Sequence, residues 1–530
     1  MSVATWNAAW RASALNELAA REWDVIVVGG GISGAGILRE AARRGWRCLL
    51  IEQRDFAWGT SSRSSKMVHG GLRYIAKGQF KLTRDSVHER QRLLGEAPGL
   101  VEPLSFVMPH YHGQFPGPTV FGGLLRVYDA LAGKRNHQFF RKDELSYLAP
   151  GLKNDALQGG TRFYDAVTDD ARLVMRVLGE ARADGAEALN GLKVLELTRV
   201  DGRVVGLTAE DGESGQHVHF KAGVVAQATG AWADRLRNTQ SDEHIRPLRG
   251  SHLLVPAWRL PVAHAFSFMH ARDRRPVFVF PWEGATVIGT TDLDHGDDID
   301  QEARISAAEV DYLLSACAQQ FPHAAIGAGD VLSTWAGVRP VVTSGAGSLK
   351  PSDEKREHVL WTEPGAVTLA GGKLTTFRLL ALEVLHACAP MLGKTISDNG
   401  SAVFRPVPNV ALSGLSATQQ RRLVGRYGCQ LPLLQPLLEK LGSESVGATD
   451  TLWAELAFAA EHELVLHLDD LLLRRTRLGL LLANGGAAFL PRIQQVCQAR
   501  LGWNDERWQQ EQQQYLSLWQ RCYSLPAQEQ

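Results

Sequence analysis

"DVIVVGGGISGAGILREAARRGWRCLLIEQRD", residues 24–55, decides the fold. Val25–Val28 is a short β-branched run without a polar break, the pattern of a strand buried on both faces. Gly29, Gly31 and Gly34 follow in G-x-G-x-x-G spacing. The first glycine permits a tight turn, the second lets a pyrophosphate approach the backbone, and the third lets helix and strand pack closely. Residues 32–44 then predict a helix, with its free N–H groups and positive dipole end aimed over the glycines. A second strand ends at Glu52, eighteen residues after Gly34. A carboxylate there accepts hydrogen bonds from a ribose 2′-hydroxyl, which favours NAD or FAD over NADP. Strand, glycine triplet, helix, strand and acid together make a nucleotide-binding βαβ unit.

The composition sets bounds on the remainder. A chain of 530 residues has room for two or three domains. Lys plus Arg and Asp plus Glu number 57 each, so no basic field points to nucleic acid. Six scattered cysteines without a C-x-x-C pair argue against a disulfide framework or a zinc site, and for a reducing cytosolic setting. Neither a secretory signal nor an eighteen-residue apolar run is visible, so no spanning helix is expected. Residues 5–23 carry Trp6, Trp10, Leu15, Leu18 and Trp23 among charges. Two readings stand for them: an interfacial helix, or a helix packed on the protein's own surface.

Further along, "RVVGLTA" (203–209) and "VHFKAGVVAQATG" (218–230) predict strands. "VFVFPWEGATVIGTTD" (277–292) predicts a hairpin turning at Glu-Gly. Ser397–Leu412, polar and carrying Pro406 and Pro408, is the best linker candidate. Beyond it, residues 452–482 and 506–519 predict helices.

Chemistry is concentrated in three more stretches. "GTSSRSSKMVHGGLRY" (59–74) supplies Thr60, Ser61, Ser62, Ser64 and Ser65, then Lys66, His69, Gly70, Gly71 and Arg73. Hydroxyls and small residues suit a phosphate and a polar ring edge; the bland alternative is a solvated serine-rich loop. Ala228, Thr229 and Gly230 form a small-residue corner after a strand, and Gly371 and Gly372 precede a helix expected to start near Leu374.

Taken in order, these motifs, with F-P-W and I-G-T-T-D, G-V-R-P (337–340), K-R-E-H (355–358) and G-G-K-L-T-T-F-R (371–378), resemble the FAD-dependent glycerol-3-phosphate dehydrogenases. That family belongs to the wider glutathione-reductase/D-amino-acid-oxidase-like group. The resemblance runs from about Asp24 to Leu380 and resumes at "DDLLLRRTRLGL" (469–480). It departs at Phe377, where tyrosine is common. It implies an α/β fold: a Rossmann-like FAD-binding domain, an interleaved antiparallel-sheet substrate domain and a C-terminal helical domain. The expected boundaries are an N-terminal extension (1–23), an oxidoreductase core (24–396, with FAD-binding segments near 24–80, 185–235 and 330–390), a linker (397–412) and helices (413–530).

The resemblance further implies that FAD is held by Gly29, Gly30, Gly31, Ile32, Ser33, Gly34, Glu52, Gln53, Thr60, Ser61, Ser62, Ser65, Lys66, Gly70, Gly71, Val194, Ala228, Thr229, Gly230, Gly372 and Thr375. The substrate, glycerol 3-phosphate, would meet Arg73, Tyr74, Arg339, Arg356 and Lys373, since a buried dianion needs cationic partners. His69 is the expected proton acceptor, or a residue that only lines the flavin edge, with Arg339 an alternative partner for the developing alkoxide. A quinone acceptor, peripheral contact with the cytoplasmic face of a membrane, no metal and no nucleic acid complete the expectation, and a homodimer is compatible with it. The rival readings are an oxygen-using oxidase, an amine or amino-acid oxidising flavoenzyme, and a non-catalytic nucleotide-binding protein.

Overall fold

The computed structural model of the chain describes residues 5–76, 78–237, 243–344, 358–398 and 400–527. Its first layer is built on the strand Glu22–Val28, whose last four residues are all buried. Cys48–Ile51 pairs parallel on one side, with Val25 opposite Cys48, and His217–Gln227 on the other, with Val25 opposite Val224. Glu187–Leu189 and Ala366–Ala370 extend this parallel core, and Val359–Glu363 closes one edge antiparallel. Helices Ile32–Ala42, Asp170–Ala183 and Phe377–Cys388 bury Val25, Val27, Val224 and Ala226 on one face. An antiparallel meander, Leu192–Val200 and Arg203–Asp211, belongs to the other.

The N-terminal helix Ala8–Ala20 takes the second of its two readings. Leu15 and Leu18 are buried against the meander side, Trp6 Nε1 donates to the Ala188 carbonyl at 3.2 Å, and Arg11 Nε donates to the Asn190 carbonyl at 2.8 Å. By length and composition Leu374–Leu392 matches a spanning helix, which the sequence reading did not expect. Here 61% of it is buried inside the fold, and it contributes Leu380, Val384 and Leu385 to the core.

A second, ten-stranded sheet is antiparallel except where Ala265–Phe266 meets Phe106–Val107. Its longest pairing joins Glu243–Pro256 to Ser333–Ser344 and places Arg339 opposite Leu248. The expected hairpin is present as Pro276–Trp282 and Ala285–Gly289, turning through Glu283 and Gly284 at positive φ.

The C-terminal part contributes helices Ala417–Tyr427, Leu431–Leu441, Trp453–His462, Leu490–Leu501 and Asp505–Cys522. The apolar periodicity of 452–482 does not produce one helix. The first helix stops at His462, a π-turn runs through Asp470–Arg475, and Arg477 sits at φ +63°. The charged residues of this stretch explain the break, because they turn inward. Arg475 makes a two-pronged pair with Asp55, at 2.6 and 2.7 Å, and Arg474 joins the same carboxylate. Arg477 meets Asp169 at 3.1 Å and also pairs with Asp170, while Glu463 pairs with Arg172. The expected linker also packs. Val403 and Phe404 are buried, and the Val403 carbonyl accepts from Arg39 Nε at 2.7 Å.

Buried pairs of this kind add little net stability, yet removing one partner strands a charge and costs about 3–5 kcal/mol. Burial alone would raise the Asp55 and Asp169 pKa values. Arg475 and Arg474 hold the first below the ordinary carboxylate range, and Arg477 and Arg426 the second. Depressed folded values stabilise the protein above the ordinary aspartate pKa of about 4, and that contribution disappears as pH falls toward them. Denaturant melts should therefore show Asp55→Asn losing about 3–5 kcal/mol at pH 7 and a shallower acid decline than wild type. A variant as stable as wild type at pH 7 would show that the pairs do not tie the two regions.

Candidate active site

Two adjoining cavities lie where the layers meet. The first, of about 510 Å³, is walled by the glycine turn, Glu52, the 59–64 loop, Val194 and the Ala228–Gly230 corner. Gly29 is at φ +110°, and a Cβ there would come 2.5 Å from the Ala228 carbonyl oxygen, so the two strand-to-helix turns touch. A Cβ on Gly34 would come 1.9 Å from the Gly29 oxygen, which is the close helix–strand contact its spacing predicts. The Ile32 N–H, at the helix start, donates to Ser61 Oγ at 2.9 Å. Glu52 accepts from the backbone N–H groups of Gly30 at 2.6 Å and Arg54 at 2.9 Å. Burial raises its pKa, and those two hydrogen bonds pull the other way. Thr229 Oγ1 is buried without a partner among the described residues. A glycine turn at a helix N-terminus, an acid one strand away and an orphaned hydroxyl fit the pyrophosphate and ribose of FAD.

The second cavity, of about 720 Å³, shares Thr60, Ser64, Pro340 and the Gly371–Leu374 turn with the first. Part of its lining is polar and cationic: His69, Tyr74, Arg275, Asp292, Arg339, Lys373 and Thr375. Arg339 Nη1 lies 3.1 Å from Asp292 Oδ1, and its Nη2 donates to Thr290 Oγ1 at 3.3 Å. The Lys373 ammonium stands 3.4 Å from the centre of the Tyr74 ring. Thr375 Oγ1 donates to the His69 carbonyl at 3.3 Å. Beside the lining residue Ser65, His252 stacks on Trp335 and shares a 2.9 Å hydrogen bond with Ser65 Oγ. Burial first, then the Arg339 and Lys66 charges, push its pKa well down, so it is neutral. Another part of the lining is apolar: Phe106, Met108, Phe115, Phe121, Leu124, Phe163 and Phe278.

Most of the expected residues thus converge. Gly29, Gly31, Ile32, Ser33, Glu52, Gln53, Thr60, Ser61, Val194, Ala228, Thr229, Gly230 and Gly372 line the first cavity. Ser65, His69, Gly71, Tyr74, Arg339, Lys373 and Thr375 line the second. Arg73 lies in the helix Leu72–Ala76, its side chain outside the described set, and Arg356 falls outside the described residues.

Five expected cofactor residues line neither cavity. Lys66 is fully buried, pairs with Asp170 at 3.0 Å and donates to the Ser62 carbonyl at 3.1 Å. That carbonyl also accepts from Arg477 Nη2 at 2.9 Å. Lys66 and Ser62 therefore anchor the loop from behind, because a buried ammonium must go where its carboxylate is. Gly70 is a packing glycine whose N–H donates to Asp165, and a Cβ there would come 2.1 Å from Tyr128 Oη. Gly30 and Gly34 serve through Glu52 and Gly29. The sequence reading assigned no role to Arg275, Thr290 or Asp292, although the last two lie inside the quoted I-G-T-T-D motif.

The chain matches the family described as FAD dependent oxidoreductase over residues 24–378, and the C-terminal domain of alpha-glycerophosphate oxidase over 367–508. It is 34% identical to glycerol-3-phosphate dehydrogenase 2 of Mycobacterium tuberculosis, over 93% of this chain and 88% of that protein. It is 32% identical to the alpha-glycerophosphate oxidase of Streptococcus pyogenes, over 94% of each. The X-ray structure of glycerol-3-phosphate dehydrogenase from Bacillus halodurans complexed with FAD superposes with a TM-score of 0.76, at 28% identity, covering 97% of this chain and 98% of that one. The nucleotide cavity, the cationic cavity beside it and these likenesses agree: the chain belongs to the family of FAD-dependent glycerol-3-phosphate dehydrogenases and oxidases.

Proposed function

We propose that this chain oxidises sn-glycerol 3-phosphate to dihydroxyacetone phosphate at the cationic end of the second cavity, and that the electrons then pass to a membrane quinone. One observation carries the reading: a single cavity is lined both by the cations Arg275, Arg339 and Lys373 with His69, and by a set of apolar side chains. Bound FAD supplies the acceptor for the two electrons leaving the substrate's second carbon. The chain's part is to hold the dianion, orient the carbon and move one proton. Lys373 and Arg339 are cations suited to a phosphate ester, and Arg73 and Arg356 are proposed as their partners. His69 is proposed to take the hydroxyl proton, and Arg339 to stabilise the charge that develops on oxygen. The helix that starts after Gly372 favours negative charge at its N-terminus, which suits a reduced flavin.

The apolar gallery supports a quinone over oxygen, which needs no such lining. Its mouth carries Phe115 at 69% and Val120 at 52% exposure, and Tyr147, further along the chain, is 89% exposed. Arg126, Lys134, Arg135, Arg141 and Lys142 lie in the same run of sequence. Exposed rings among basic residues suit an anionic bilayer surface, so contact would be peripheral, on the cytoplasmic face. The oxidase of S. pyogenes keeps the oxygen-using reading in play.

The acceptor is tested by the peroxide formed per substrate against reduction of a soluble quinone analogue. Quinone reduction should dominate, and one peroxide per substrate would make the enzyme an oxidase. Arg339→Ala should keep its flavin and lose on the order of 30- to 1000-fold in kcat/KM, with discrimination against glycerol shrinking alongside. His69→Ala should instead lower kcat, change KM little and flatten the acid limb of the pH profile. An Arg339→Ala enzyme with the wild-type preference over glycerol would remove Arg339 from phosphate recognition. Phe115→Asp/Val120→Asp should release the protein from anionic vesicles while keeping full flavin content. Unchanged vesicle binding would move the contact elsewhere.

A further inference from the structure

Asp292 closes the Ile-Gly-Thr-Thr-Asp stretch and is 3% exposed. Its carboxylate stands between two guanidinium groups in the wall of the second cavity. Oδ1 meets Arg339 Nη1 at 3.1 Å, and Oδ2 meets Arg275 Nη2 at 2.8 Å. Arg275 Nη1 also donates to the Asp292 backbone carbonyl at 2.7 Å, so one arginine grips both the main chain and the side chain of this residue. Arg339 is confined on two further sides. Its Nη2 donates to Thr290 Oγ1 at 3.3 Å, and a Cβ on Gly250 would come 2.5 Å from the same nitrogen. Only a glycine leaves room for the guanidinium in that orientation.

We propose that Asp292, gripped by Arg275, is a positioning residue that fixes the Arg339 guanidinium at the substrate end of the cavity before substrate arrives. This rests on the glycerol 3-phosphate reading above. An arginine set in advance stabilises charge in the transition state without first having to be ordered. The rival role for Asp292 is charge neutralisation alone, and the two roles predict opposite results. Removing a neutralising anion leaves Arg275, Arg339 and Lys373 less compensated, which tightens a phosphate ester and lowers KM at unchanged kcat. Removing a positioning anion lowers kcat.

Asp292→Asn separates them. An asparagine has one acceptor oxygen and one donor NH₂, and because each guanidinium here sits on its own side-chain atom, Oδ1 or Oδ2, one of them must face a donor. With full flavin content confirmed, Asp292→Asn should lower kcat for glycerol 3-phosphate about 10- to 100-fold, with KM unchanged or lower. Arg275→Ala should move kcat the same way by a smaller factor. In an Arg339→Ala background, Asp292→Asn should add almost nothing, since the residue through which it acts is gone. A crystal structure of the Asp292→Asn holoenzyme should show the Arg339 guanidinium displaced or in several orientations. Wild-type kcat in Asp292→Asn, an equal loss in the Arg339→Ala background, or an unmoved Arg339 would each overturn the proposal. If wild-type enzyme fails to oxidise glycerol 3-phosphate, the substrate reading fails, while the crystal structure still decides whether Asp292 sets Arg339.

Discussion

A set of buried arginines from the C-terminal region holds the cofactor loop in place, and the geometry of both cavities depends on it. Asp55 lies three residues beyond Glu52, and its carboxylate is taken by Arg475 and Arg474. Arg477 reaches the Ser62 carbonyl, Asp169 and Asp170, and Asp170 in turn holds Lys66 and Ser64. The loop between Asp55 and Lys66 is therefore clamped at both ends. With its back fixed, Thr60 and Ser61 face the nucleotide cavity and Ser65 faces the substrate cavity. A serine-rich loop left to itself is a mobile, solvated segment. Here the energy of satisfying buried charges gives it one conformation.

The same logic orders the substrate end. Cations suited to a phosphate ester repel one another, and each must be held by something that leaves it available. Arg339 has Asp292 and Thr290, and Lys373 has the face of the Tyr74 ring. A carboxylate shared with Arg275 orients Arg339 and lowers the local positive charge at once. The apolar half of the cavity needs no such arrangement. Apart from the exposed Phe115, its residues come from strands and a helix that pack into the second sheet's core, so that part of the gallery is an extension of packing already required.

What was legible in the sequence follows from range. The glycine turn, Glu52 and the flanking strands are set by contacts within about thirty residues, and periodicity and spacing report such contacts well. The 283–284 hairpin turn is local in the same sense. Lys66 and Ser62 lie off both cavities for a long-range reason: Lys66 pairs with Asp170, a hundred residues away, and the Ser62 carbonyl accepts from Lys66 and Arg477, whereas in the sequence a lysine after five hydroxyls looks like a phosphate ligand. The helical pattern over 452–482 did not reveal where the helices break, for the same reason. Its leucines have helical spacing, but Arg474, Arg475 and Arg477 answer to Asp55, Asp169 and Asp170, more than 300 residues away in the sequence. Asp292 was hidden differently, inside a quoted motif, because nothing in one sequence shows that Arg275 and Arg339 meet on it.

The central claim is that two adjoining cavities let one chain take electrons from glycerol 3-phosphate and release them to a second, apolar partner. Two sequential half-reactions, followed by flavin absorbance without oxygen, test it most directly. One equivalent of glycerol 3-phosphate should bleach the flavin of one chain, and a soluble quinone analogue added afterwards should restore the oxidised spectrum. A flavin that stays oxidised with glycerol 3-phosphate, or that bleaches but does not recover with the quinone analogue, would contradict the account.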